Sequence, residues 1–274
     1  MRRLTGWGYP ARVIDPAEAI EIEPALRLPP RPAALAWFPE EGYLLTEPLI
    51  ARLVADAKNH GADILIGEPG RVTGVDSSPG AVMRVRTAAG AVLEADEVIC
   101  CAGRWTPDLA ALASAARPGA ASPVPLVPWD TPGSIAPGLV VRVGPVDPPG
   151  LVCLVHTPEI SLRPHSGGLL HLEAPDAAAA VDLHTPEPEL NRWAGELLRR
   201  ARRTVRGLDH ARVVELKVCV RPLPADGQSI VGRLPGTKAR YVAVTHSGVT
   251  LAAHLSSLIA TDLTTPTAPP SLAP

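Results

Sequence analysis

Arg221 opens the stretch Arg221-Pro222-Leu223-Pro224-Ala225-Asp226-Gly227, which sets a guanidinium beside a Pro/Asp/Gly turn. A guanidinium presents a planar fork of donors that matches a carboxylate, so Arg221 reads either as the anchor of a ligand acid or as a structural ion-pair residue. Farther on, Tyr241-Val242-Ala243-Val244-Thr245-His246-Ser247-Gly248-Val249-Thr250-Leu251 reads as a buried strand, a glycine-containing turn and a helix start. Such a junction aims free N–H groups and a partial positive charge at whatever sits in the turn. Gly248, Val249 and Thr250 stand at that junction, and the plain alternative is a tight turn in which glycine supplies unusual backbone. His246, alone at a strand end, reads as a structural residue rather than a catalyst. Cys219 reads first as a small buried strand residue. Ser247 precedes Gly248, but there is no G-x-S-x-G elbow to make it a hydrolase nucleophile.

The remaining chemistry-bearing residues narrow the class further. Cys100, Cys101, Cys153 and Cys219 show no C-x-x-C spacing, so a zinc site is not expected. With 26 basic and 28 acidic residues the formal charge is −2, which argues against a nucleic-acid partner. Arg199, Arg200, Arg202, Arg203 and Arg206 cluster at the end of a predicted helix and read as a solvated face. The N-terminus carries no apolar core of a secretory signal, and no apolar run reaches membrane-spanning length, so a soluble, reduced, cytoplasmic protein is the expectation. At 274 residues and 46% apolar, the chain can bury the core of one large or two modest domains.

These residues need elements to hold them. Asp15-Pro16 reads as an N-cap with proline at the first helical position, and Thr46 as the cap of a second helix with stripe Leu49, Ile50, Leu53, Val54 and Ala57, ended by Gly61. Strands are predicted over 63–66, 71–76, 82–87 and 91–93, with a Ser-Ser-Pro-Gly turn between the second and third. The run 97–102 is continuously apolar up to Gly103, as in a strand buried on both faces. A short helix is predicted over 106–115. Residues 116–138 are proline-rich and mark a crossover. Strands follow over 139–143, 151–156, 160–163 and 169–173, with a Gly167-Gly168 hairpin turn, then a helix over 187–205 and a strand over 211–220.

Several segments together resemble one family. Glu41 to Leu49, Arg71-Val72-Thr73-Gly74-Val75, Ala95-Asp96-Glu97-Val98-Ile99-Cys100-Cys101-Ala102-Gly103-Arg104-Trp105 and Leu162 to Leu170 occur in order, ahead of the two C-terminal segments. The set resembles the D-amino-acid-oxidase-like (DAO) family of FAD-dependent oxidoreductases, which includes glycine and sarcosine oxidases. The resemblance implies FAD as cofactor. It places the Val72 backbone against adenine, Ala102, Gly103 and Trp105 near the cofactor phosphates, and Gly248, Val249 and Thr250 under the flavin pyrimidine edge. It makes Arg221 the residue that binds a substrate carboxylate. It implies oxidation of a C–N bond of an amino acid or secondary amine by hydride transfer, with no acid/base dyad required. Cys219 stands at a spacing that resembles the flavin-carrying cysteine of monomeric sarcosine oxidases. Ala253 replaces the family's usual proline, and His254 falls where apolar residues are usual.

The family's G-x-G-x-x-G fingerprint is not found in this sequence. Gly6-Trp7-Gly8 comes nearest, but it follows no strand and runs into Tyr9-Pro10. The expected fold is therefore α/β (α+β mixed): an incomplete FAD-binding Rossmann-like domain (40–115 and 222–262) interleaved with an antiparallel-sheet substrate domain (10–35 and 120–221), and a disordered tail over 263–274. An N-terminally truncated chain is the expectation, through a displaced start, a split gene or a degraded copy. Its partners would be a small-molecule amine or amino-acid substrate and a separately encoded N-terminal Rossmann segment, with no nucleic acid or membrane. A non-catalytic remnant, or the C-terminal subunit of a split flavoenzyme, is the alternative.

Overall fold

The computed structural model describes residues 2–32, 34–76, 82–112, 124–234 and 240–265. The turn expected at 77–80, the end of the helix expected over 106–115 and most of the expected tail lie outside the described residues. In chain order the elements begin with α1 (Arg2–Gly6), β1 (Arg12–Ile14), α2 (Pro16–Ile22), β2 (Leu35–Trp37) and α3 (Thr46–Asn59). Then come β3 (Val72–Asp76), β4 (Met83–Thr87), β5 (Val92–Ala95), β6 (Val98–Cys100) and α4 (Thr106–Leu112). Next are β7 (Pro137–Gly144), β8 (Val155–His156), β9 (Ser161–His165), β10 (Leu169–Glu173), α5 (Pro175–Ala179) and α6 (Glu187–Thr204). The chain continues with β11 (Arg212–Val220), β12 (Ile230–Arg233), β13 (Arg240–Val244) and α7 (Ala252–Thr264). Two compact units result: Met1–Leu49 with Asp130–Cys219, and Ile50–Trp129 with Val220–Pro274.

The first unit is built on a five-stranded antiparallel sheet of order β11-β7-β10-β9-β8. Strand β7 alternates as a half-buried strand should, with Leu139, Val141 and Val143 inward. Leu162, Leu170 and Leu172 join them, and α6 lays Ala194, Leu197, Leu198 and Ala201 on the same core. Those four positions recur at three- and four-residue spacing, the period of one helix face. Each fully buried leucine contributes about 1.5–3 kcal/mol. The hairpin between β9 and β10 turns on Gly167 and Gly168, both with positive φ (73° and 69°). Asp15 caps α2 through Oδ1, which accepts from the Glu18 N–H at 2.9 Å.

Two features of this unit were not foreseen. Glu23 is only 2% exposed, yet its carboxylate accepts from the N–H groups of Ala25 (3.2 Å), Val152 (2.8 Å) and Cys153 (2.7 Å), which ties the end of α2 to a loop far away in sequence. The arginine cluster of α6 is more engaged than a solvated face. Arg200 pairs with Asp176 (2.6 Å) and Glu196 (2.7 Å), Arg203 pairs with Glu159 (3.1 Å), and Arg202 donates to the carbonyls of Leu208 and Ala211.

The second unit holds two three-stranded sheets. In one, β12 pairs antiparallel with β13, and β13 pairs parallel with β6. Val242 and Val244 pack with Val124 in one buried cluster, while Tyr241 and Val231 pack with Leu255 of α7 in another. The other sheet is the meander β3-β4-β5, bulged between Val72 and Gly74.

Three sequence expectations need correction here. The strand expected over 97–102 is three residues long, lies at a sheet edge and leaves Ile99 43% exposed, so it is not buried on both faces. The strand expected over 63–66 does not form: no described strand lies alongside to take its backbone, and Ile66 is 79% exposed. The apolar stripe of α3 is present as a helix face, but none of its residues is buried, with Ile50 59% and Leu53 57% exposed. In each case the apolar pattern is real, and no described segment covers it.

Candidate functional site

In the second unit a cleft of about 670 Å³ opens along β6, lined among others by Val72, Val98, Cys101, Ala102, Leu109 and Tyr241. Successive residues from Val98 to Ala102 all line it. Arg240, Tyr241 and Val242 of the neighbouring β13 line it as well. Val72 and Ala102 thus border one cleft. Gly103 follows at the start of a short 3₁₀ turn (Gly103–Trp105) and lies beside the Pro222 ring. Trp105 is exposed, and the Arg104 guanidinium stacks over it at 4.2 Å and over Trp129 at 5.1 Å. Burial raises the Tyr241 phenol above its ordinary pKa, with a hydrogen bond to Asp262 adding to the effect.

The strand–turn–helix junction forms at the far end of β13. Helix α7 starts at Ala252, so Gly248, Val249 and Thr250 occupy the exposed turn just ahead of it rather than its first turn. Leu251 N donates to the Ser247 carbonyl (2.9 Å) and Ala252 N to the Val249 carbonyl (3.3 Å). The N–H groups of Val249 and Thr250 have no acceptor among the described residues. Gly248 does not have positive φ, and a Cβ there would meet only the Thr245 carbonyl oxygen, at 4.0 Å. The backbone therefore does not require glycine at 248. Close approach of a ligand to the main chain is the other reason for a glycine. An exposed turn with free N–H groups before a helix can receive a ligand edge that gathers negative charge.

Arg221 follows β11 directly and is half-buried. Cys219, within β11, is half-buried with a free thiol. His246 is exposed, with Nδ1 3.4 Å from the Ser247 hydroxyl.

In the first unit the sheet carries a polar row that sequence reading missed. Arg142 of β7, His171 of β10 and Arg163 of β9 are successive cross-strand partners, so they share one face. Arg142 pairs with Glu215 at 2.5 Å. Arg163 donates to His171 Nδ1 at 3.2 Å, which leaves His171 Nε2 facing Glu173 at 3.9 Å. The neighbouring His171 ring holds the Glu173 carboxyl below its ordinary pKa. Burial lowers the Arg163 pKa, Glu173 and Tyr43 act against that, and Arg142 adds to it. Among the described residues no carboxylate forms an ion pair with Arg163. Residues 44–48, Arg142, Arg163, His165 and Ser166 line a cleft over this row.

The fold is one shared with solved amino-acid and amine oxidoreductases. L-proline dehydrogenase from P. horikoshii matches with a TM-score of 0.75 at 18% identity, over 95% of this chain and 66% of its own. Iminodiacetate oxidase from Chelativorans sp. matches at 0.70 and 19%, over 99% and 68%, and glycine oxidase from Geobacillus kaustophilus at 0.69 and 24%, over 94% and 64%. The chain thus spans about two thirds of the length of these proteins. The family model described as FAD dependent oxidoreductase (DAO) matches residues 1–261, and the chain belongs to that family. FAD is the family's cofactor. No curated protein matches the sequence.

Proposed function

We propose that this chain supplies the flavin-ring and substrate side of an FAD-dependent oxidoreductase that oxidises a C–N bond of an amino acid or secondary amine. One observation carries the reading: the exposed Gly248–Thr250 turn, with unused N–H groups and a glycine its own backbone does not require, in a chain matched by the family from residue 1 to 261. FAD, when bound, supplies the acceptor for the hydride leaving the substrate α-carbon. The Val249 and Thr250 N–H groups would stabilise negative charge at the pyrimidine edge. Arg221 would fork onto the substrate carboxylate. Val72, Ala102, Gly103 and Trp105 would line the adenosine and phosphate side, in keeping with the shared cleft of Val72 and Ala102. In this reading residues 40–115 and 222–262 serve the cofactor, and 10–35 and 120–221 the substrate.

A glycine-fingerprint segment outside this sequence would complete the dinucleotide site, with β6 as its place of attachment. Parallel strands are normally covered on both sides, and β6 presents a free edge bordered by an apolar cleft. The four free cysteines suit a cytoplasmic protein. The same free edge favours a second reading, the C-terminal subunit of a split flavoenzyme. Turnover of glycine, L-proline and iminodiacetate, followed as dye reduction with the completed protein, tests the first reading. Oxidation of at least one such carboxylate-bearing amine is expected; inertness toward the whole class, with FAD bound, would leave the chain non-catalytic.

A further inference from the structure

We infer that the cleft over the polar row of the first unit is a carboxylate-binding site anchored by Arg163. The site lies within the stretch given above to the substrate, but neither Arg221 nor any residue named there as touching the cofactor lines it. Arg142 is already neutralised by Glu215 at 2.5 Å. Among the described residues Arg163 has the ring nitrogen of His171 as its one hydrogen-bond partner, although its guanidinium is partly withdrawn from water. A guanidinium carries five N–H donors, and one acceptor leaves most of them unused. His165 and Ser166 add an imidazole and a hydroxyl to the same wall. Glu47 also lines the cleft, but it is exposed and forms no ion pair with either arginine. The cleft is small and partly open, with room beside the arginine for a carboxyl group rather than for a whole ligand.

Two sources share that chemistry: a carboxyl group of the substrate itself, or a separate small carboxylate acting on the enzyme. Succinate is the probe, with succinamide as its uncharged counterpart, and calorimetry on the full-length chain is the readout. Succinate should bind and succinamide should not. Arg163→Met should weaken succinate at least about tenfold, the loss expected for one charge-assisted fork, and Arg163→Lys should recover part of it. Succinate binding is read on the chain without FAD, so failure of the flavin reading and failure of this one are separable. Competition between succinate and the oxidised amine would assign the site to substrate, and simultaneous binding to a separate carboxylate. Equal binding of succinate by the parent and a folded Arg163→Met variant would overturn the proposal. Should that variant not fold, dicarbonyl modification of the unaltered protein decides: succinate must protect Arg163, mapped by mass spectrometry, and modification at an undiminished rate would overturn the site.

Discussion

Gly207 shows how one position can be dictated by backbone alone. Its φ is +78°, and a Cβ would collide with the carbonyl oxygen of Asp147, whose own N–H donates to the Gly207 carbonyl at 2.8 Å. Gly207→Ala should destabilise by about 1–3 kcal/mol, read from urea unfolding of the first unit; an unchanged midpoint would refute this. Glu23→Ala would strip the acceptor from three N–H groups at a buried site, and a cost of about 3 kcal/mol or more is expected in the same measurement, with Glu23→Gln recovering part. Arg221→Ala should weaken binding of a carboxylate-bearing amine about ten- to a hundredfold while sparing amines without the carboxylate. Equal losses for both, with a parallel fall in Tm, would make Arg221 a structural residue. Arg221 could be singled out from sequence because its proline and turn context is local. Arg163 could not: it reads as one outward polar position of a strand, and only the registry of β7, β10 and β9 sets Arg142, His171 and Arg163 side by side.

Elements whose apolar period closes locally were legible. Strand β10 falls on the predicted 169–173, α6 ends one residue before its predicted limit, and Asp15 caps α2 as its type suggests. The misreadings at 63–66 and 97–102 have a different origin. Periodicity reports that a segment can be buried, but not that a neighbour exists to bury it. Exposed Ile50, Leu53, Leu65, Ile66 and Ile99 make the second unit prone to self-association. Low soluble yield is expected for the chain by itself. Leu53→Lys together with Ile99→Lys should raise the monomer fraction in gel filtration, and a sharp, cooperative melt from a monodisperse parent would argue against the account. At the junction of α5 and α6, the hydrogen bond from Arg200 holds the Asp176 carboxyl below its ordinary pKa. A depressed carboxylate adds stability above its unfolded pKa of about 3.9 and loses it as pH falls through the folded value. Asp176→Asn should therefore lower Tm near neutrality and flatten its decline in acid below about pH 4, in paired thermal melts. Asp176 is half exposed, so the effect will be small.

At the scale of the whole molecule, no described helix is long and apolar enough to cross a membrane, and no described cluster of His, Cys, Asp and Glu could hold a metal ion. The family assignment rests on the match over residues 1–261, and the flavin reading rests on the turn before α7. The diphosphate-binding glycine loop contributes much of a dinucleotide's affinity, through N–H groups at a helix N-terminus. FAD titration, with and without a G-x-G-x-x-G segment, tests the central claim most directly. The chain by itself should hold FAD weakly. With the segment supplied it should retain FAD stoichiometrically through gel filtration, and a carboxylate-bearing amine added without oxygen should bleach the visible absorbance. Stoichiometric FAD on the chain alone would show that no outside segment is needed. Absence of FAD from the completed protein, or absorbance that no such amine bleaches, would contradict the account.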